Sequence, residues 1–447
     1  MLESIHLKNV GPAPEMKMDL APRLNLITGD NGLGKSFLLD VAWWALTRKW
    51  PHDLNSSLTS GYAARPTSIT KKSTIEFEVG SKTGKVKYES PYVPDEQAWK
   101  GKSGRPWNPG LVIYALADGG FAVWDPARNY WRKQGHIDVQ ERLPAYVFSS
   151  KEVWDGLRVP IDGTPTQVSN GLVADWVSWI REGKADAKRM AAVLALLAPS
   201  VGDDSLKPGE SFARLSVNDA RDIPTVHMGY GQDVPILYAS LGVRRITALS
   251  YMLSWAWREH LIASKDVPAN RTSRVVMLFD EVESHLHPRW QRAVVPALLK
   301  VVQALTEEEG ASVQLIAATH SPLVLASVEP LFDSEQDAWF DLDLEEGEVF
   351  LRKRDFVPQG DVNNWLTSEA FDLGSPYSLE AEQALDEAAR VLSASTVDAE
   401  DVVRVYTKLC KVLGDVDPFW ERWRFIGVKK GWLAPNGEPI ASQKGNI

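Results

Sequence analysis

The run Gly29-Asp30-Asn31-Gly32-Leu33-Gly34-Lys35-Ser36 fits the pattern G-x-x-x-x-G-K-[ST] at every fixed position. A loop of this kind turns successive backbone N–H groups toward one point at the start of a helix. The helix dipole adds positive potential there, so the loop cradles phosphate oxygens. In that arrangement Lys35 reaches the β- and γ-phosphates of ATP and Ser36 holds Mg²⁺, and Phe37 closes the nucleotide-binding set. Far downstream, VVMLFDE ends in Asp280 and Glu281. Asp280 at the end of a buried strand suits a Mg²⁺ contact, direct or through water. Glu281, one residue on, suits a base that orients or deprotonates an attacking water. SVQLIAATH ends in His320, which could hydrogen-bond the γ-phosphate or that water.

The elements that must position these residues are legible on either side of them. RLNLITG reads as a buried strand running into the loop, and Phe37, Leu38, Val41, Ala42 and Leu46 follow at helical spacing. ESIHLKNV alternates as a strand. From about 50 to 165 the chain reads as β-rich. STIEFEVG with KVKYES forms one hairpin, and LVIYALADGGFAVWD forms another, turning at Asp118-Gly119-Gly120. AYVFSS is a short strand. Helical periodicity from Leu172 to Pro199, then the polar loop GDDSLKPGE, predicts a helical sub-domain over 166–235. A long helix starts near Ser240, and another starts with Pro288 in its first turn. DLDLEEGEVFLRK predicts a closing hairpin on which Asp341 and Asp343 are solvated acids. Beyond 356 the pattern is helical. Ser378 caps a helix with apolar positions at Ala381, Leu385, Ala388 and Leu392. Trp365, Phe371, Trp420 and Trp423 read as the small core of this extension, and LAPNGEPIASQKGNI as a flexible tail. The expected class is α/β, in four parts: an N-terminal lobe at 1–165, the helical sub-domain at 166–235, a C-terminal lobe at 236–355, and a helical extension at 356–447.

Composition narrows the function classes. The chain has 447 residues and a net charge of −10, which argues against a generally basic nucleic-acid binder but leaves room for a local patch. Cys410 is the single cysteine, so neither an internal disulfide nor a cysteine-rich zinc site can form. The opening residues do not read as a signal peptide, and no run of about 18 apolar residues marks a membrane span. A cytoplasmic protein without a membrane partner is expected.

The order glycine loop, Asp-Glu strand, histidine-ended strand resembles the ABC-type ATPases of the SMC, RecF and OLD group. ESIHLKNVGP is similar to their opening strand and LITGDNGLGKS to their first motif. FDEVESHLHPRWQ with ATHSPLVLAS resembles a narrower set, the bacterial AAA-family ATP-binding proteins that include the Septu defence ATPase PtuA and the ATPase half of OLD nucleases. The resemblance spans roughly residues 1–355. It implies a mixed-sheet ATPase head with an antiparallel β sub-domain and a short helical lobe.

It also implies a signature loop that touches the γ-phosphate of an opposite subunit. YASLGVRR stands in its place, with Ser240 and Gly242 where the family has serine and glycine. Leu241 replaces the usual second glycine, and Val243 departs from the usual Gln or Glu. Ser240 is in any case a good N-cap, and Arg244 or Arg245 adds charge. The D-loop falls on Ser284-His285-Leu286-His287. The Q-loop falls near Ser149-Ser150, where there is no glutamine.

The implied cycle is a nucleotide-dependent switch. The cofactors are ATP and Mg²⁺. Lys35, Asp280 and His320 come from one subunit and Ser240 and Gly242 from its partner, in a head-to-head homodimer or higher oligomer. The family's defence systems couple such an ATPase to a separate effector nuclease. SMC arms are absent, and the roughly 90 residues after 356 are short for a Toprim nuclease domain. Two other classes stay open. A RecF-like DNA-repair ATPase would need a basic groove, for which Arg181, Lys184, Lys188 and Arg189 offer a modest cluster. A scaffold would bind ATP and hydrolyse it negligibly.

Overall fold

The computed structural model describes residues 1–440 except 82–83, 102–106, 131–141, 162, 184, 199–205, 307–310, 372 and 395. Two compact units are present, Met1–Trp365 and Leu366–Ile447.

The first unit is built on an eight-stranded mixed sheet, so the expected α/β class holds. Its order is Glu348–Arg354, Asp337–Glu345, Leu24–Gly29, Ser312–Ala318, Arg274–Phe279, Leu111–Ala115, Phe121–Trp124 and Tyr146–Phe148. The five strands from Asp337–Glu345 to Leu111–Ala115 are mutually parallel. Their apolar runs, such as VVMLF and LVIYA, are buried at almost every position, as strands covered on both faces must be. The register brings their C-terminal ends to one edge. Phe279 pairs with Ala115 and Ala317, Ala318 with Ile27, and Gly29 with Leu342.

The helix Lys35–Thr47 lies between this sheet and a second, antiparallel sheet of Glu15–Asp19, Leu2–Lys8, Thr74–Ser81, Gly84–Val93 and Ala98–Trp99. One apolar core joins Leu7 and Phe77 of the second sheet, Trp43 of the helix, and Val276 and Ile316 of the main sheet. A helix clamped on both sides has to be apolar nearly all round, and all but two of its residues are buried.

The hairpin expected at Leu111–Trp124 is present and belongs to the main sheet, directly beside the strand that leads to Asp280. Two expectations change here. The segment 166–235 is only half helical. After the helices Leu172–Arg181 and Ala185–Leu197 come three antiparallel strands, Lys207–Ala213, Ile223–His227 and Asp233–Pro235. Lys207 to Glu210 therefore pairs as a strand, with a register shift between Pro208 and Phe212 that absorbs its proline and glycine. Finally, Asp341 is buried and not solvated. It pairs in register with Thr28, whose hydroxyl donates to it at 2.6 Å, and Arg354 lies 3.5 Å away. Arg354 and Arg352 also engage Asp343.

The second unit packs the helices Leu379–Ser393, Ala399–Val412 and Phe419–Lys429 around Ala388, Val405, Leu409 and Trp423. Ser378 caps the first of them, accepting from the Ala381 N–H at 3.2 Å. Trp420 packs at the edge of this core, and Phe371 is half-buried. Trp365 instead belongs to the first unit. It packs on Trp339 and Phe356 and donates to Glu329 at 2.6 Å. The tail is folded as far as it is described. Leu433 is buried and bridges Pro439, while 441–447 lie outside the described residues.

Trp423 is 1 % exposed and its indole N–H is buried without a hydrogen-bond partner, so truncating it removes packing alone. Trp423→Ala is expected to destabilise this unit by about 3–5 kcal/mol. Calorimetry should show an early transition for the unit while the transition of residues 1–365 stays in place.

Candidate nucleotide site

The glycine loop leaves the strand Leu24–Gly29 at the carboxyl edge of the parallel strands and enters the helix at Lys35. Gly29 has φ 125°, and a Cβ there would stand 2.3 Å from the Leu342 carbonyl oxygen. Gly34 caps the helix at φ 107°, with Pro12 2.9 Å from where its Cβ would be. Both positions therefore require glycine. Asp30, Asn31, Gly32 and Ser36 are exposed along the loop, whereas Leu33 is buried and the Phe37 ring packs against Gly11. The side chains of Leu33 and Phe37 are thus committed to packing. Lys35 is 6 % exposed and donates to the Gly29 carbonyl at 2.6 Å and the Asp30 carbonyl at 2.8 Å. Burial lowers its pKa, against the opposing pull of Asp280, Asp30, Glu283 and Glu281.

Asp280 follows the strand Arg274–Phe279, which is separated from Leu24–Gly29 by Ser312–Ala318, and its N–H is held by the Ala115 carbonyl at 2.9 Å. Burial pushes its carboxyl up to about 6, although the Ser36 hydroxyl bonds it and Lys35 and Arg245 pull the other way. Its Oδ2 is buried with no hydrogen-bond partner. A buried, unpaired carboxylate oxygen beside a serine hydroxyl is the donor set a hard divalent cation takes, so Mg²⁺ fits Ser36 and Asp280. Metal and proton compete for that carboxylate. Affinity for Mn²⁺, read by electron paramagnetic resonance, is therefore expected to be about tenfold tighter at pH 7 than at pH 5. Asp280→Asn should abolish the difference.

Glu281 sits in the left-handed region at φ 47°, which turns its half-buried side chain out of the strand direction. Its charge is felt at Asp280, Lys35 and His320. His320 lies just past the strand Ser312–Ala318. Burial, then the Lys35 charge, lowers its pKa, so at neutral pH the imidazole is uncharged and can both donate and accept. Lys35, Ser36, Asp280, Glu281 and His320 thus come together at one sheet edge.

Sequence reasoning missed Glu283. Its carboxylate accepts from the His320 N–H at 2.6 Å and from the Thr319 hydroxyl at 2.7 Å. No spacing rule marks it, because its role depends on the left-handed turn at Glu281.

Ser240 caps the helix Leu241–Asp266, accepting from the Val243 N–H at 3.4 Å, and both Ser240 and Leu241 are exposed. Among the described residues, Ser240 makes no hydrogen bond to the cluster around Asp280. Gly242 is buried on the D-loop, where a Cβ would stand 2.7 Å from the His285 carbonyl oxygen. The arginines do not extend the charge of this helix end. Arg244 stacks over Trp154, and Arg245 turns inward to donate to the Leu116 carbonyl at 3.0 Å, near Asp118 and Asp280. Ser149 caps a short helix with Glu152, just past the strand Tyr146–Phe148, three places outward from that of Asp280. One of the two strands flanking that of Asp280 is Leu111–Ala115, and the turn that follows it, Leu116–Gly120, lies against Ser150.

Residues 4–108 match the family model of the AAA domain, and residues 180–326 match that of the AAA domain, putative AbiEii toxin, Type IV TA system. Two separate stretches of the chain thus match AAA-domain models, each over less than half of its length. The chain also matches curated proteins. It is 24% identical over 143 residues to the Retron Ec83 probable ATPase of Escherichia coli, covering 32% of this chain and 23% of that protein. It is 32% identical over 98 residues to the Retron Vc95 probable ATPase of Vibrio cholerae serotype O1 biovar El Tor, covering 22% and 17%. The chain therefore spans less than a quarter of the length of these relatives. Among solved structures it is similar to the SMC head domain from Thermotoga maritima, at 12% identity and a TM-score of 0.37 over 79% of this chain and 99% of that one. It is also similar to the recombination mediator RecF, at 13% identity and a TM-score of 0.33 over 78% and 98%. The fold is carried by the strand order and register described above, not by these likenesses.

Proposed function

We propose that the chain is a Mg²⁺-dependent ATP hydrolase that acts as a nucleotide-dependent switch between copies of itself. The observation that carries this reading is the convergence of Lys35, Ser36, the unpaired Asp280 oxygen, Glu281 and His320 at one sheet edge. ATP phosphates replace the Gly29 and Asp30 carbonyls as partners of Lys35. Mg²⁺ held by Ser36 and Asp280 neutralises phosphate charge when bound. Glu281 accepts a proton from water as it attacks the γ-phosphorus, the bond from that phosphorus to the β,γ-bridging oxygen breaks so that ADP and inorganic phosphate leave, and neutral His320 orients the water or donates to a γ-phosphate oxygen.

The exposed Ser240 at the N-terminus of a 26-residue helix supports a second contact with ATP, made by a second copy head-to-head. Binding then joins two heads and hydrolysis releases them. We place the chain in the cytoplasm, in the Septu-like branch, as the regulator of a defence system whose effector nuclease is a separate protein. The similarity to proteins named as probable retron ATPases supports the ATPase part of this reading. Among the described residues, no helix is long and apolar enough to cross a membrane. The RecF-like alternative is less well supported, because Arg181 pairs with Asp222 and Arg189 with Asp186. Lys184 lies outside the described residues.

The test is phosphate release with and without Mg²⁺, alongside light scattering after size exclusion. Mg²⁺-dependent turnover together with an ATP-dependent rise in mass is expected. Turnover at constant mass would remove the switch, and absence of turnover would leave the scaffold.

A further inference from the structure

The loop after Glu281 has a tight course. Glu281 and His285 both adopt left-handed backbone, at φ 47° and 62°, so the four residues from Glu281 to Ser284 fold back on themselves. The Ser284 N–H closes the turn on the Glu281 carbonyl at 2.9 Å. Glu283 is thereby aimed across to the neighbouring strand. Its two oxygens separately take the His320 N–H and the Thr319 hydroxyl. On the other side of the same loop, the His285 carbonyl is the surface on which Gly242 sits with no room for a Cβ. A second tie runs in parallel, with Gln291 donating to the Leu286 carbonyl at 2.9 Å and accepting from the Ser321 hydroxyl at 2.8 Å.

We infer that Glu283 is the positioning residue for His320, and that it links His320 to the loop on which the Ser240–Gly242 helix end rests. This deepens the reading above and rests on it for the role of His320. Ser240 is proposed to meet the second copy's ATP at the helix end that Gly242 seats on the loop, whereas His320 serves the ATP of its own chain. A displacement of the helix end presses on the His285 carbonyl. Glu283 then carries the movement to the His320 backbone, so that engagement of one site sets the histidine of the other. Glu283 itself touches neither water nor phosphate in this scheme.

The test joins amide exchange, which needs no turnover, to kinetics. In the full-length protein, Glu283→Ala is expected to raise exchange across residues 317–322 about tenfold. Glu283→Gln, which keeps length and an acceptor, should stay close to wild type. Glu283→Ala should lower kcat about 100-fold, with KM for ATP within about twofold. Combined with His320→Ala it should cost no more than His320→Ala alone, because both changes disable one group. If Glu283→Ala does not fold, Glu283→Asp, too short to hold both partners, takes its place with the same expectations. Unchanged exchange at 317–322, or losses in kcat that multiply in the double variant, would overturn the assignment. If the wild type hydrolyses no ATP, the proposed function falls, while exchange still decides whether Glu283 holds His320.

Discussion

Glu281→Gln is expected to lower ATP turnover about 10²–10⁴-fold while leaving Mg²⁺-ATP binding within about threefold of wild type. Glutamine has the same shape and can still accept a hydrogen bond from water, but its amide does not take the proton. The change also leaves the backbone undisturbed. Residue 281 lies in the left-handed region, and its carbonyl still receives the Ser284 N–H. The carboxylate of Asp280, the amine of Lys35 and the hydroxyl of Ser36 stay in place, so the binding groups are intact.

The same variant tests the switch. If ATP joins two copies and hydrolysis parts them, Glu281→Gln accumulates the joined form, and its mass by light scattering rises with ATP and stays high. Equal turnover in Glu281→Gln and wild type would instead select the scaffold, in which the acid pair merely ends a strand. Turnover lost without any gain in mass would keep the hydrolase and remove the dimer cycle. Kinetics and mass therefore separate the two halves of the proposal in one protein.

The site was legible in the sequence where chemistry and local geometry coincide. The loop requires glycine at 29 and 34, and the Leu342 carbonyl and Pro12 lie against those positions. VVMLF and LIAA announce strands buried on both faces, so the residues that end them, Asp280 and His320, fall at one edge. What was not legible depends on long-range pairing. A hairpin at 111–124 is readable, but its place beside the Asp280 strand is set by the register of Phe279 with Ala115. Asp341 looks like any acid on an alternating strand. It is buried because the pairing of Asp337–Glu345 with Leu24–Gly29 sets it opposite Thr28, and because the following strand supplies Arg354. The strands of 207–235 carry prolines in all three and a register shift in the first, so no period-two alternation separates them from loop. Trp365 and Trp423 look alike in sequence, yet they belong to different units.

Lys35→Ala is the complementary case, with a large loss in binding and little change in stability. The lysine contributes a charged hydrogen bond to phosphate, and losing it costs about 3 kcal/mol, roughly a 10²-fold weaker Kd for ATP. In the folded protein without nucleotide, the ammonium is held away from water by the loop, and its lowered pKa records that cost. Its partners are two main-chain carbonyls of a loop whose Asp30, Asn31 and Gly32 face solvent. Removing the side chain lets water reach those carbonyls, so the lost bonds and the relieved burial offset one another. Thermal melting should therefore move by only a few degrees, while a fluorescent ATP analogue loses its binding. A second consequence follows at Asp280. Lys35 is one of the charges that hold its carboxyl down against burial. Without that charge the carboxyl rises further above 6, and the pH below which divalent metal binding fails moves up with it. Lys35→Arg should not rescue ATP binding, because two carbonyls 2.6 and 2.8 Å from a compact ammonium leave no place for a planar guanidinium. Charge alone is then insufficient at this position, and the loop selects lysine by shape as well.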